Sequence, residues 1–459
     1  MKTTLLTVAC FFYLSALFSQ EIIGSWEGEL DVPGMKLPLV FNIKQNGSQL
    51  ITTMDSPMQG AKDIPVTSTT FEKNELEIKA NEMGITYKGT LKNDKIEGSF
   101  IQGQMSLPLI LTKMKTGESF LKRPQTPQPP CNYKIEDVTF TNPFDKNTLA
   151  GTLTKPLNQK SYPIVVLISG SGQQNRDSEL FGHKSFWVIA DDFAKKGIGV
   201  LRVDDRGTGS SNGATMNMTT QNFAEDTNAA VEFLTQKGFT NIGLIGHSEG
   251  GIIAPMVASK NKKVKFIISM AGPGIPIDEL LVLQTNAIAK VSGATEEEIK
   301  LGEATNRKIY ALLKNYNGTD LQDEVKNIFI ANMQKLPKEQ QPSAEEIAKT
   351  AEQESVKTTI PWFTYFIKIN PDEYWSKLKI PVLALNGSKD LQVISKENLA
   401  GIKASLEKAK NKKIDMVEFP NLNHLFQEAK TGSVEEYGQI EQTIAPQVLD
   451  KMSSWILKL

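Results

Sequence analysis

The chain has 459 residues, 40% of them hydrophobic, with 51 Lys and Arg against 52 Asp and Glu and a formal net charge of -1. That length exceeds one typical domain, and the balanced charge gives no electrostatic case for nucleic acid or an anionic membrane surface. Two cysteines and three histidines argue against a disulfide framework and against a dedicated zinc site.

Residues 1–20 begin with Lys2, run apolar from Leu5 to Phe18 with one polar break at Ser15, and end in Ser19-Gln20. This is the pattern of a secretory signal peptide cut near Ser19 or Gln20, too short to persist as a membrane span. A periplasmic or secreted location is therefore expected, with no stable membrane insertion. Cys10 lies inside the hydrophobic run, but Thr7-Val8-Ala9 before it makes a poor lipoprotein box. Removing the signal leaves Cys131 alone, so the fold must stand on its core.

Over 21–115 the apolar residues alternate in short runs punctuated by turn signals, as in 37–43 followed by Asn46-Gly47. Period-two alternation with regular turns predicts a small all-β domain, barrel or sandwich, in which Trp26 plugs the core. Residues 116–135 include Arg123-Pro124-Gln125-Thr126-Pro127-Gln128-Pro129-Pro130, a composition expected of a semi-rigid linker.

From 136 onward the apolar runs shorten and end in turns. The first, Pro163 to Ile168, leads into Ser169-Gly170-Ser171-Gly172-Gln173, a small-residue loop able to turn N–H groups inward. It could supply an oxyanion donor, with the Ser171 N–H favoured and Gly172 next, or be a plain βα turn. A phosphate cradle is a poorer reading because no Gly-Lys-Ser/Thr follows. His183, between Gly182 and Lys184, reads as a surface or entrance residue. Asp204 and Asp205 follow the strand 199–203 and are expected to anchor the Asp-Arg-Gly-Thr-Gly turn through Arg206.

The run 241–245 then ends in Gly246-His247-Ser248-Glu249-Gly250, and an apolar stretch with helical spacing follows. A serine on so tight a strand-to-helix turn projects its hydroxyl into a cleft, beneath the positive end of the next helix. Such a hydroxyl needs a base. His247 adjoins it and should point away into packing, whereas His424 lies in a loop just beyond the late strand 413–419, where an open parallel sheet gathers its chemistry. The base in turn needs a carboxylate to hold its tautomer, and Asp390 follows the strand that starts at Ile380. Asp278, after the strand 265–270, is the rival acid. A second oxyanion donor is expected at the backbone N–H of Glu249, directly after the nucleophile.

Taken together, Ser169-Gly170-Ser171-Gly172-Gln173-Gln174-Asn175-Arg176-Asp177, the segments 201–209, 245–251 with Ala254-Pro255, 271–274, and Asn386 to Val393 resemble the α/β-hydrolase superfamily. More narrowly, they are similar to bacterial carboxylesterases with a Ser-Gly-Ser-Gly-x-Gln-x-Arg-Asp loop. The chain order Ser248, Asp390, His424 is the order of that superfamily. The resemblance implies a doubly wound, mostly parallel sheet over 136–459, no cofactor, and hydrolysis of carboxylic esters of short or medium acyl groups through an acyl-enzyme. Gln174-Asn175 departs from the expected Gln-Asp, which should bear on substrate fit.

Residues 275–372 form an insertion with helical spacing, expected as a cap over the Ser248 cleft. Its aromatic end, 361–366, offers Trp362 and Phe363 as substrate-binding candidates, with cap packing as the other reading. Two alternatives stay open for the whole chain: a serine peptidase of the prolyl-oligopeptidase type, and a glycan or cell-wall binding protein with a vestigial hydrolase.

Overall fold

The computed structural model describes residues 21–459 apart from 33–34, 48, 60, 116–121, 158, 160, 337 and 340. The expected signal peptide, with Cys10, lies outside the described residues. The chain divides into two compact units, one running to Arg123 and including 180–182, the other holding Pro124–Glu179 and His183–Leu459.

The first unit is a nine-stranded antiparallel meander. Its strand order places the first strand, Gly24–Val32, beside the last, Met105–Lys113, and puts Ala61–Pro65 and Ser68–Glu72 at the two edges. The sheet curls until Thr69 reaches back to Thr52, hydroxyl to hydroxyl at 2.8 Å, giving a half-barrel in place of a sandwich. The alternation seen in the sequence turns one side chain in two inward, where Trp26, Phe41, Ile78, Tyr87, Ile96 and Leu111 form the core. Burying two polar aromatic tips there requires partners. The Trp26 indole N–H donates to the Ile22 carbonyl at 2.8 Å, and the Tyr87 hydroxyl reaches the Ile96 and Leu109 carbonyls.

The second unit carries an eight-stranded sheet in the order 134–141, 148–155, 199–203, 164–168, 242–247, 264–270, 382–387, 414–419. The first two strands run antiparallel to their neighbours and the remaining pairs are parallel. Strands buried on both faces read as continuous apolar runs: Ile164–Ile168 is buried throughout, as are Val382–Gly387. One face is covered by helices Thr220–Gln236 and Gly250–Ala258, the other by Ser185–Lys195 and Pro446–Ile456, each closing its own apolar cluster against the sheet. This is the α/β-hydrolase architecture.

Helices Ile277–Val291, Glu296–Asn315, Leu321–Met333, Ala344–Thr359, Pro361–Phe366 and Asp372–Trp375 occupy the inserted segment. Two of them start with reciprocal Ser/Thr–Glu capping boxes, Thr295 with Glu298 and Ser343 with Glu346, which satisfy orphan N–H groups of the first turn. Among the described residues no helix is long and apolar enough to cross a membrane.

The Pro-rich stretch differs from a free spacer. From Pro124 on it belongs to the second unit, where the Gln125 side chain accepts from the Thr443 and Ile444 N–H groups and donates to the Ile444 carbonyl at 2.7 Å. A side-chain amide can satisfy backbone groups that a composition rule does not anticipate.

Candidate active site

The central strand Ile242–His247 lies between 164–168 and 264–270, and Ser248 follows it directly. Ser248 has φ of 57°, a left-handed conformation that is strained for a residue with a Cβ. The turn is held by the Ser248 N–H donating to the Met270 carbonyl at 2.9 Å and by the Gly251 N–H donating to the Ser248 carbonyl at 2.8 Å. The flanking glycines are explained by close approach. A Cβ on Gly246 would meet the Gly250 carbonyl oxygen at 1.9 Å, and one on Gly250 would meet the Ile168 carbonyl oxygen at 2.3 Å. A side chain at Gly246 would force the turn open against its own helix start, and one at Gly250 would push the turn away from the neighbouring strand Ile164–Ile168.

Asp390 and His424 come together at the ends of adjacent parallel strands, Val382–Gly387 and Ile414–Phe419. The His424 Nδ1–H donates to Asp390 Oδ2 at 2.9 Å, with both side chains buried. Asp390 Oδ1 is occupied by the backbone N–H groups of Gln392 and Val393, both at 2.8 Å. One oxygen is thereby fixed by its own turn and the other is aimed at the imidazole. The His424 loop is built by buried Asn423, whose Oδ1 accepts from the Leu425 and Gln427 N–H groups. The Lys389 N–H donates to the Leu422 carbonyl at 2.9 Å and ties the two loops together.

The other two histidines are structural. His247 donates from Nε2 to the His424 carbonyl oxygen at 2.9 Å, and its ring lies 4.7 Å from that of His424. Desolvation and the adjacent imidazole hold its pKa well below the ordinary histidine range, so it serves as a neutral strut between the Ser248 turn and the His424 loop. His183 departs from the surface role expected of it. It is buried, with Nδ1 2.9 Å from Thr443 Oγ1 and Nε2 3.0 Å from the Tyr437 carbonyl oxygen. Its polar sequence neighbours gave no hint of these distant partners.

Two rival acids are placed elsewhere. Asp278 sits in the first turn of the helix Ile277–Val291 and pairs with Lys314 at 2.6 Å. Asp204 does not pair with Arg206 as expected; it takes a two-pronged bond from Arg176, Nη2 to Oδ2 at 2.7 Å and Nε to Oδ1 at 3.1 Å. Arg206 instead grips Asp226 through Nε and Nη2 at 2.7 and 2.9 Å, and Asp145 through Nη1 at 2.6 Å. At the Gln174-Asn175 departure, Asn175 Oδ1 accepts from the N–H groups of Asp177 and Glu179, and Gln174 Oε1 accepts from the Ser178 hydroxyl.

The loop 169–174 lies against the Ser248 turn, since a Cβ on Gly170 would stand 3.2 Å from the Ser248 Cβ. Glu249 follows Ser248 and caps the helix Gly250–Ala258. Its buried carboxyl accepts from the Thr220 hydroxyl at 2.6 Å and from the Trp362 indole N–H at 3.1 Å. This network was not anticipated from sequence, because its members are up to 142 positions apart in the numbering (220 to 362). Trp362 also stacks on Phe366 at 5.3 Å, while Phe363 packs 6.1 Å from Trp362 and 6.2 Å from Tyr310. Among the described residues no group of three or more His, Cys, Asp or Glu side chains is arranged to hold a metal ion.

Comparison with known proteins fits this geometry. Residues 145–414 match the model of the X-Pro dipeptidyl-peptidase (S15) family, a span of more than half the chain. The chain belongs to that family. Its match ends ahead of His424. Esterase EstD of Thermotoga maritima is 25% identical over 334 residues, covering 72% of this chain and 69% of that protein. Among solved structures, esterase Pf2001 of Pyrococcus furiosus is similar at 16% identity with a TM-score of 0.43, covering 74% of this chain and 98% of its own. Est1E of Butyrivibrio proteoclasticus is similar at 13% identity and a TM-score of 0.38, covering 70% and 98%. The S15-family chain is a serine hydrolase.

In this family member the loop beside the Ser248 turn rests on Asp205, whose Oδ2 accepts from the Ser169 hydroxyl and the Gln174 N–H, both at 2.9 Å. Burial, with Asp226 and Glu249 nearby, pushes the Asp205 carboxyl up to about 7. The folded protein then holds a proton that the unfolded chain releases near pH 3.8. Stability from this group is full below that value and declines as pH rises toward 7. Asp205→Asn keeps an acceptor for both donors, so the fall in melting temperature between pH 5 and pH 8.5 is expected to be smaller in that variant. Identical pH slopes for the two proteins would show that Asp205 is ionised throughout.

Proposed function

We propose that this serine hydrolase is a carboxylesterase acting on small-molecule esters of short or medium acyl chain, with Ser248 as nucleophile, His424 as general base and Asp390 as the orienting carboxylate. The observation that carries the reading is the buried His424–Asp390 pair at 2.9 Å, joined to the Ser248 turn by the His247 strut. The Asp390 carboxylate fixes the proton on Nδ1 and leaves Nε2 to take the serine proton. Attack on the ester carbonyl gives a tetrahedral oxyanion, for which the N–H groups of Glu249 and Ser171 are the donors, with Gly172 adjoining. Collapse expels the alcohol with the proton from His424, and a water activated by the same imidazole releases the acid. No cofactor enters the scheme.

The family name raises peptide cleavage as the second reading. A dipeptidyl peptidase needs an acidic group for the substrate's amino terminus. The buried carboxyl nearest the nucleophile in sequence is that of Glu249, already committed to Trp362 and Thr220. Together with the likeness to esterase EstD, this favours esters. The composition of residues 1–20 supports a periplasmic or secreted setting. The test compares p-nitrophenyl acetate and butyrate with an aminoacyl-proline p-nitroanilide on the purified chain. Ester turnover at least about a hundredfold above anilide turnover in kcat/KM is expected, a gap near 3 kcal/mol. The reverse ranking would assign the peptidase activity.

A further inference from the structure

We propose that Glu249 is a positioning residue whose carboxyl latches the cap and the helix Thr220–Gln236 onto the oxyanion site. The inference rests on the reading of Ser248 as nucleophile and of the Glu249 and Ser171 N–H groups as oxyanion donors. Two segments remote in sequence converge on this one side chain. Thr220, fully buried at the start of the helix Thr220–Gln236, holds Oε1 at 2.6 Å. Trp362, in the cap helix Pro361–Phe366, lies with its indole nitrogen 3.1 Å from each carboxyl oxygen.

The placement has a mechanistic consequence. The backbone N–H of Glu249 is one of the two groups expected to receive the oxyanion, and its side chain is held both from the cap and from the helix Thr220–Gln236. The direction of that N–H is thereby set by side-chain bonds as well as by the backbone. The Trp362 ring is stacked on Phe366 of the same helix with planes 13° apart, which orients its N–H toward the carboxyl. Burial also raises the Glu249 pKa above its ordinary value, which limits negative charge beside a developing oxyanion. Preorganised donors of this kind act on the transition state more than on the bound substrate, so loosening them lowers kcat and leaves KM nearly unchanged.

The test uses the full chain with p-nitrophenyl acetate and four variants: Glu249→Ala, Glu249→Gln, Trp362→Phe and the Glu249→Ala/Trp362→Phe pair. Glu249→Ala is expected to lower kcat about tenfold or more with KM within about twofold. Glu249→Gln, which keeps an acceptor oxygen, should return to within about threefold of the parent. Trp362→Phe keeps the stacked ring, removes only the N–H, and should lower kcat by about threefold to tenfold. The double variant should match Glu249→Ala alone, since cutting a latch twice does nothing more. Independent, multiplying effects, or a Trp362→Phe enzyme with parental kcat, would overturn the inference. If Glu249→Ala does not fold, Trp362→Phe and Thr220→Val replace it, and parental kcat in both is the overturning result. Fluorophosphonate labelling that survives Ser248→Ala would instead sink the underlying reading of the nucleophile, whatever the latch variants do.

Discussion

Ser248→Ala is expected to lower kcat on p-nitrophenyl acetate by about 10⁶, to the level left by binding and oxyanion donors alone. Without the Oγ no acyl-enzyme forms. The melting temperature should hold, because alanine meets the same penalty as serine at a φ of 57°. Ser248→Gly makes a sharper comparison. It is equally inactive, but glycine adopts positive φ without strain, so the protein should be stabilised by about 1 kcal/mol. Asp390→Asn should cost about 10⁴ in kcat by favouring the wrong imidazole tautomer, with the fold kept by the Gln392 and Val393 N–H bonds to the side-chain oxygen. Steady-state rates paired with thermal melts check all three. Retained ester turnover in Ser248→Ala would move the chemistry to another residue.

Arg206→Leu is expected to destabilise the hydrolase unit by about 3 to 5 kcal/mol, because it leaves Asp226 buried without its partner. Arg206 is itself 2% exposed and bonds Asp226 through two nitrogens. Asp226 also accepts from the Asn142 and Asn147 amides, so the aspartate is the hub of the turn after the strand Gly199–Val203. Asp145, the second partner of Arg206, has a side chain 39% exposed, and Asp145→Ala should cost less than about 1 kcal/mol. Pairing Arg206→Leu with Asp226→Asn should recover part of the loss by removing the stranded charge. Urea titrations followed by far-UV circular dichroism together with ester turnover distinguish these outcomes. Equal effects of Arg206→Leu and Asp145→Ala would contradict the assignment of Asp226 as the buried partner.

The latch and the Arg206 pair mark where local reading of the chain stops. Backbone-dominated features were legible. Continuous apolar runs such as Ile164–Ile168 announce strands buried on both faces, period-two alternation announces a small all-β domain without choosing barrel or sandwich, and the glycines around Ser248 announce a turn with no room for a Cβ. The fold class of the second unit was what the resemblance of the motif segments to α/β-hydrolases implied. Side-chain pairing across long separations was not legible in the same way. Asp204 was expected on Arg206 and is held by Arg176; His183 was expected near the surface and is buried against Thr443 and Tyr437.

What the amino-acid sequence determined by itself is the parallel strands of the second unit, the tight turn at Ser248, the β-rich first unit and the helical insertion, because each is encoded in neighbouring residues through burial period and backbone sterics. The Asp390–His424 pair was also named from the sequence; what only the tertiary structure decided is which other carboxyl meets which partner: Asp204 with Arg176, Asp226 with Arg206, and Glu249 with Thr220 and Trp362. Several aspartates and glutamates were chemically equivalent candidates along the chain. The choice among them is made by desolvation, since a buried carboxyl is tolerated only where packing of distant strands and helices delivers its donors.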